Sequence, residues 1–215
     1  MDGSGVALVI PALNESASIG PVVQKARRFG TVIVVDDGST DDTGGIARTF
    51  GAEVVRHTKN LGYDAALQSG FERAAALGAT SVITLDADGQ HNPELIEKFI
   101  LQLQQGADLV LGVRNTRPRF AEHVFAWYTR WFYGIHDPLC GMKGYRMEIY
   151  HQRGCFDSHQ SIGTELMLFA ARRGYRIVQL PFIVGERQGL PRFGRLFSAN
   201  LRIMKALWRG LWIKS

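Results

Sequence analysis

The 215-residue sequence predicts an α/β fold built on a central, mostly parallel sheet. Three observations predict it. Short apolar runs alternate with helix-forming stretches through the first half of the chain, the pattern of repeated strand–helix units. The connections between them are short, and strands this uniformly apolar are covered on both faces. Two strands also carry acids out of their C-terminal ends. Val32-Ile33-Val34-Val35 runs into Asp36-Asp37, and Ser81-Val82-Ile83-Thr84-Leu85 runs into Asp86-Ala87-Asp88. Ligands of open α/β sheets bind outside those ends, and two carboxylates one small residue apart can share a divalent cation where the chain turns.

Taken in order, Val6–Ile10 reads as a strand ended by Pro11, and Ser16–Phe29 as a helix capped by Asn14 or Ser16. Thr31–Val35 is a second strand, Thr40–Phe50 holds a short helix, and Ala52–Arg56 is a third strand. Tyr63–Leu77 is an alanine-rich helix whose Ala66, Gly70, Ala74 and Leu77 make a small-residue face suited to close packing on a sheet. Thr80–Leu85 is a strand, Pro93–Gln104 a helix with proline in its first turn, and Asp108–Val113 a strand. Beyond Arg114 the rhythm changes. A loop starts at Arg117-Pro118-Arg119, and the aromatic-rich segment Glu122–Tyr133 breaks at Gly134. Met142–Ile149 contains a short strand, Thr164–Arg173 is a helix, and Ile177–Val184 is a strand despite its proline. Residues 1–195 form the expected catalytic domain, followed by a basic amphipathic segment over 196–215.

Hydrophobic content of 46% and charged content of 21% fit a globular chain with a sizeable core. Cys140 and Cys155 define no disulfide framework, and no signal-like apolar core follows Met1, so a cytoplasmic setting is expected. The net charge of +5 is uneven: seven basic residues and one acid lie between Glu186 and Ser215, and the remainder is near neutral. A nucleic-acid binder would show a broader basic footprint, so no nucleic-acid partner is expected.

The ordered motifs carry a resemblance. Pro11-Ala12-Leu13-Asn14-Glu15, Val35-Asp36-Asp37-Gly38-Ser39-Thr40-Asp41, Asn60-Leu61-Gly62 and Asp86-Ala87-Asp88-Gly89-Gln90 resemble the inverting family 2 glycosyltransferases. Gly112-Val113-Arg114, Asp137-Pro138-Leu139-Cys140-Gly141, Glu165 and Arg187-Gln188-Gly189-Leu190-Pro191-Arg192 extend the match over about residues 6–195. Within that family the set resembles the branch of dolichyl-phosphate mannose synthases and bacterial polyprenyl-phosphate glycosyltransferases. The resemblance implies a GT-A-like fold and transfer of a hexose, with inversion, from a GDP- or UDP-linked sugar to a polyprenyl or dolichyl phosphate.

It also implies residue roles. Asp86 and Asp88 would hold Mg²⁺ or Mn²⁺ against the donor diphosphate, with Gln90 as a polar neighbour. Pro11, Ala12, Asn14, Glu15, Asp36, Asp37 and Ala87 would build the nucleotide-sugar pocket, while Asp41 is as readily a helix cap as a ligand. Asp88, Asp137 and Arg114 are the expected catalytic residues. Arg114, Arg187 and Arg192 are candidates for the acceptor phosphate or the donor diphosphate, and Arg192 stands where the family commonly has lysine. Asp137 is the natural base if the acceptor is a hydroxyl. If the acceptor is an already anionic phosphate, Asp137 would orient an arginine or the metal assembly instead.

Leu196, Phe197, Leu201, Met204, Leu207, Trp208, Leu211 and Trp212 recur at three- and four-residue intervals among basic residues. That pattern fits peripheral contact with the cytoplasmic face of a membrane. A C-terminal helix docked on the domain or a homo-oligomer contact fits it too. Two other functional readings stay open: transfer to a carbohydrate hydroxyl, and a non-catalytic membrane-associated subunit that binds nucleotide-sugar.

Overall fold

Strand β1 (Val6–Ala12) is buried along its whole length and shares its side chains between two cores. Val6, Leu8, Ile10 and Ala12 face one side, and Ala7 and Val9 the other, as the two-residue period of a strand requires. The structure is a computed structural model that describes residues 5–88, 93–115, 119–158, 161–183 and 203–204, with Pro93 and Glu94 as backbone only. Gln90, Arg187 and Arg192 lie outside the described residues, as does the C-terminal segment apart from Ile203 and Met204.

After β1 come helix α1 (Ile19–Ala26), strand β2 (Thr31–Asp36), helix α2 (Thr43–Thr49), strand β3 (Glu53–Arg56), helix α3 (Tyr63–Ala76), strand β4 (Ser81–Thr84) and helix α4 (Pro93–Gln104). Strand β5 (Leu109–Arg114), helix α5 (Phe120–Tyr133), strand β6 (Lys143–Arg146), helices α6 (Met147–Arg153) and α7 (Glu165–Arg172) and strand β7 (Ile177–Phe182) complete the described chain. The seven strands form one sheet in the order β3-β2-β1-β4-β6-β5-β7. All pairings are parallel except those of β6, which runs antiparallel between β4 and β5.

Residues of α1 and α4 join one core, with Ile19, Val23, Leu95, Ile96, Phe99 and Ile100 under the sheet. Residues of α3, α6 and α7 join the other, where Leu67, Phe71, Tyr150, Leu166 and Phe169 pack together. Ala66, Gly70 and Ala74 of the expected α3 face are buried, and a Cβ on Gly70 would lie 2.3 Å from Val9 Cγ1, whereas Leu77 falls just past the helix and is exposed.

Several boundaries differ from expectation for local reasons. β1 continues through Pro11, which sits opposite Val35, so proline does not end the strand. α1 begins at Ile19 because the Glu15 carbonyl accepts the Ser18 and Ile19 amides in a preceding turn. The stretch expected as a strand to Ile149 turns helical at Met147, whose amide donates to Thr80 O. Pro181 lies in β7, the edge strand, where a missing amide costs least.

Candidate active site

The C-terminal ends of β1, β2 and β4 stand side by side, and their loops are tied together. Asn14 adopts a positive φ of 53°, and its Oδ1 accepts the Thr40 amide at 2.8 Å while its own amide donates to Ser39 Oγ at 3.0 Å. The Glu15 amide donates to Thr43 Oγ1 at 2.8 Å, and the buried Glu15 carboxylate accepts Ser18 Oγ at 2.9 Å. Asp41 acts as a local tie: it accepts the Ser16 and Thr43 amides. Burial raises its pKa, but hydrogen bonds from Thr43 and Ser16 outweigh that and hold it below the usual carboxylate value.

Asp36 and Asp37 are both buried at the end of β2. Asp36 Oδ1 accepts the Ser39 amide at 2.9 Å, and Arg56 Nε lies 3.4 Å from its Oδ2. Asp37 faces the start of α3: its two oxygens accept the Leu61 and Gly62 amides, each at 2.8 Å, and His57 Nδ1 lies 2.7 Å from Oδ1. The Asn60-Leu61-Gly62 stretch is therefore held by the acid that ends β2, with Gly62 at φ 99°.

At the end of β4, Ala87 and Asp88 are buried and Asp86 is half-buried. Asp86 packs on the backbone of the segment that enters β6, where a Cβ on Gly141 would lie 2.3 Å from Asp86 Oδ2. Only glycine leaves that carboxylate its place. Thr84 fastens the same segment from below, donating to Gly141 O at 2.6 Å and accepting the Lys143 amide at 3.1 Å. Two hard carboxylate oxygens at a strand end fit Mg²⁺ or Mn²⁺. Among the described residues no group of three His, Cys, Asp or Glu is placed to cage a metal. A metal held by one or two carboxylates and completed by substrate phosphates is the arrangement such a donor set suits.

Beyond β5 the charges pair among themselves. Arg114 donates from Nε and Nη2 to the two oxygens of Asp137, at 2.8 and 2.9 Å, and from its amide at 3.1 Å. Its Nη2 also reaches Glu122 Oε2 at 3.2 Å, and Glu122 Oε1 accepts Arg119 Nη1 at 2.9 Å. Burial pushes the Asp137 pKa up, but the Arg114 guanidinium more than offsets it and keeps the carboxyl below its usual range. Cys140 is buried, and burial with the nearby Asp137 pushes its thiol up to about 12. It is a neutral packing group.

Three residues at this edge escaped the motif reading. Lys143 is buried, its ammonium donates to Gly163 O at 3.1 Å, and burial pulls its pKa down against the charges of Asp137 and Asp86. Asp64, in the first turn of α3, accepts the Gly163 amide at 2.6 Å and the Ile162 amide at 3.2 Å. Burial and the nearby Asp157 carboxylate push it up to about 6. Glu122 anchors the arginines. The available signal was a charged residue in an otherwise apolar register, as at Lys143 before the core residue Tyr145. Glu165, quoted in the motif set without a role, is fully buried and paired with Arg153 and Ser158.

The profile of glycosyl transferase family 2 matches residues 7–154. An uncharacterized glycosyltransferase of Mycobacterium tuberculosis is 34% identical over 203 residues, 88% of this chain and 89% of that one. A dolichyl-phosphate hexose transferase of Haloferax volcanii is 31% identical over 197 residues, 86% of this chain and 84% of that one. Among solved structures, glucosyl-3-phosphoglycerate synthase of M. tuberculosis with Mn²⁺, UDP-glucose and phosphoglyceric acid superposes with a TM-score of 0.75. The superposition covers 98% of this chain and 80% of that one at 22% identity, a likeness of fold. The same enzyme is known with Mg²⁺ and UDP, so the expected choice of Mg²⁺ or Mn²⁺ has its counterpart on this fold.

These structures correct the expected branch. Solved chains that superpose on 98% of this one include those of glucosyl-3-phosphoglycerate synthase crystallised with phosphoglyceric acid, which is not a dolichyl- or polyprenyl-phosphate enzyme. The lipid-phosphate acceptor and partner are overturned with it. The physical reason is that most of the recognised motifs, from Pro11 to Asp88, lie at the ends of β1, β2 and β4, in the half expected to hold the nucleotide-sugar. That half says little about what the sugar is transferred to. Among the described residues no helix is long and apolar enough to cross a membrane. On the matched profile and the extent of these likenesses, the chain belongs to glycosyl transferase family 2.

Proposed function

We propose that this glycosyltransferase uses Mg²⁺ or Mn²⁺ to move a hexose, with inversion, from a nucleotide-diphospho-sugar to the hydroxyl of a small carbohydrate-type acceptor. A UDP-linked donor is the first choice, since the superposable enzyme binds UDP and UDP-glucose. The observation that carries the hydroxyl acceptor is the pairing of Arg114 with Asp137 and Glu122. An arginine already matched by two carboxylates is poorly suited to neutralise a lipid phosphate, whereas Asp137, kept ionised and a weak base by the same contact, takes the hydroxyl proton only as the bond to the anomeric carbon forms.

In this reading Asp36, Asp37, Asn14 and Glu15 shape the nucleoside pocket. Asp86 and Asp88 hold the metal, which when bound neutralises charge on the departing diphosphate. Asp137 receives the proton of the attacking hydroxyl, and Arg114 fixes its orientation so that the nucleophile and anomeric carbon meet in line.

The test is a panel of labelled UDP- and GDP-sugars with hydroxyl acceptors, phosphoglyceric acid among them, in Mn²⁺ or Mg²⁺. Metal-dependent transfer to a hydroxyl acceptor, abolished by EDTA, is expected. Transfer to prenyl phosphate alone, or binding of nucleotide without turnover on any acceptor, would overturn the reading.

A further inference from the structure

The turn at Ile162–Gly163 is the most constrained backbone near the site. Ile162 has φ 56° and Gly163 φ 66°, and a β-branched residue rarely adopts that conformation unless its surroundings impose it. The surroundings are two charged side chains, the buried Lys143 and the half-buried Asp64, that the proposed chemistry leaves unused. Asp64 accepts both amides of the turn, and Lys143 donates to its Gly163 carbonyl.

Each of these residues follows, along the chain, a stretch held against a carboxylate of the donor half. Asp64 follows Leu61 and Gly62, whose amides are held by Asp37. Lys143 follows Gly141, whose backbone lies against Asp86, and both are pinned by Thr84. The Ile162 side chain, in turn, packs in a cluster with Leu139, Tyr128, Phe125 and Ile203, on the side of the loop that bears Asp137. The turn thus spans from the donor carboxylates to the wall beside Asp137.

We infer that Asp64 and Lys143 are positioning residues that clamp the Ile162–Gly163 turn and couple occupancy of the donor site to the geometry of the acceptor side. The inference rests on the proposed transfer to a hydroxyl for its kinetic expression, but not for its structural one. Nucleotide and metal settling on Asp37 and Asp86 would stiffen the Leu61–Gly62 and Gly141–Lys143 stretches. That stiffening passes through Asp64 and Lys143 to the turn.

Hydrogen exchange of the peptide spanning residues 157–168 tests it on the intact chain, with and without saturating UDP or GDP and Mn²⁺. Nucleotide is expected to slow exchange in the wild type and to lose that effect in Asp64→Asn and Lys143→Met. In the same variants nucleotide affinity by calorimetry should stay within about threefold, while acceptor KM rises roughly tenfold with a smaller change in kcat, as misplacement of a positioned group predicts. Lys143→Arg, which keeps a donor, should restore part of the coupling. A wild type whose turn shows no nucleotide-dependent protection overturns the clamp, as do variants that keep it. If nucleotide binds and protects the turn but no hydroxyl acceptor is used, the proposed function fails while the clamp stands.

Discussion

At the scale of single residues, the contact between Gly141 and Asp86 makes the sharpest prediction. A Cβ at Gly141 would lie 2.3 Å from one carboxylate oxygen and 2.7 Å from the other, so Gly141→Ala must move Asp86. Mn²⁺ affinity in the presence of UDP is expected to fall by roughly tenfold or more, the scale on which disturbed ligand support acts. Calorimetric titration measures it, and an unchanged affinity would detach Asp86 from the metal. Asp137→Asn keeps the shape of that side chain but removes the charge facing Arg114. Turnover should fall by about a hundredfold or more if Asp137 is the base, with UDP binding kept, as steady-state kinetics and titration would show. The acids at the strand ends, Asp36, Asp37, Asp86 and Asp88, were legible because an apolar run halts at them. Asp64 and the turn it holds were not, because they lie 98 and 99 positions apart and no local pattern joins them.

At the scale of elements, the sequence pattern located β1, β2, β4, β5 and helices α3 and α4 well, since each is a run of one period long enough to register. It could not show that β6 runs antiparallel. Strand direction is a property of connections, and the same residues pack equally well in either sense. Nor did it show that the aromatic-rich stretch is helix α5, because its apolar residues surround the axis. Phe120, Trp127, Trp131 and Phe132 stand exposed while Phe125 is fully buried. The close approach of α3 to β1 is a stronger element-level prediction. Gly70→Ala would gain about 1 kcal/mol of helix propensity. Forcing a methyl to 2.3 Å from the fully buried Val9 costs about 1–3 kcal/mol. Net destabilisation in urea unfolding is expected, and a stabilised variant would mean that α3 can shift on the sheet.

For the whole molecule, the half-buried Asp64 and the buried Asp137 should tilt stability in opposite directions with pH. Asp64 titrates near 6 in the fold against an ordinary 3.8, so the folded chain holds its proton longer. Its contribution is full below about pH 4 and is lost as pH rises through about 6. Asp137 is held below its ordinary value by Arg114, so its contribution is present above about pH 4 and lost as pH falls through its folded pKa. The stability gap between wild type and Asp64→Asn should therefore narrow from pH 4 to pH 7. The gap for Asp137→Asn should stay nearly level over that range, at roughly 3 kcal/mol for a broken buried pair, and shrink as pH falls below about 4. Urea unfolding at about pH 3, pH 4 and pH 7 decides both, and gaps that change alike across the three would contradict the assigned charge environments.

The reversed strand has a consequence for how such a molecule can change. In a purely parallel sheet, the chain that precedes a strand lies at the far edge from the ligand. Because β6 enters from the C-terminal edge, with Lys143 opposite Thr84, the stretch from Asp137 to Met142 is delivered to the same rim as the acids after β2 and β4. Two separate stretches of gene therefore meet at one rim, one before Asp88 and one after Val113. On the proposed transfer to a hydroxyl, exchange of the later stretch would alter what receives the sugar while β1, β2 and β4 keep their register. On that reading the later stretch is a natural unit for swapping acceptors between relatives.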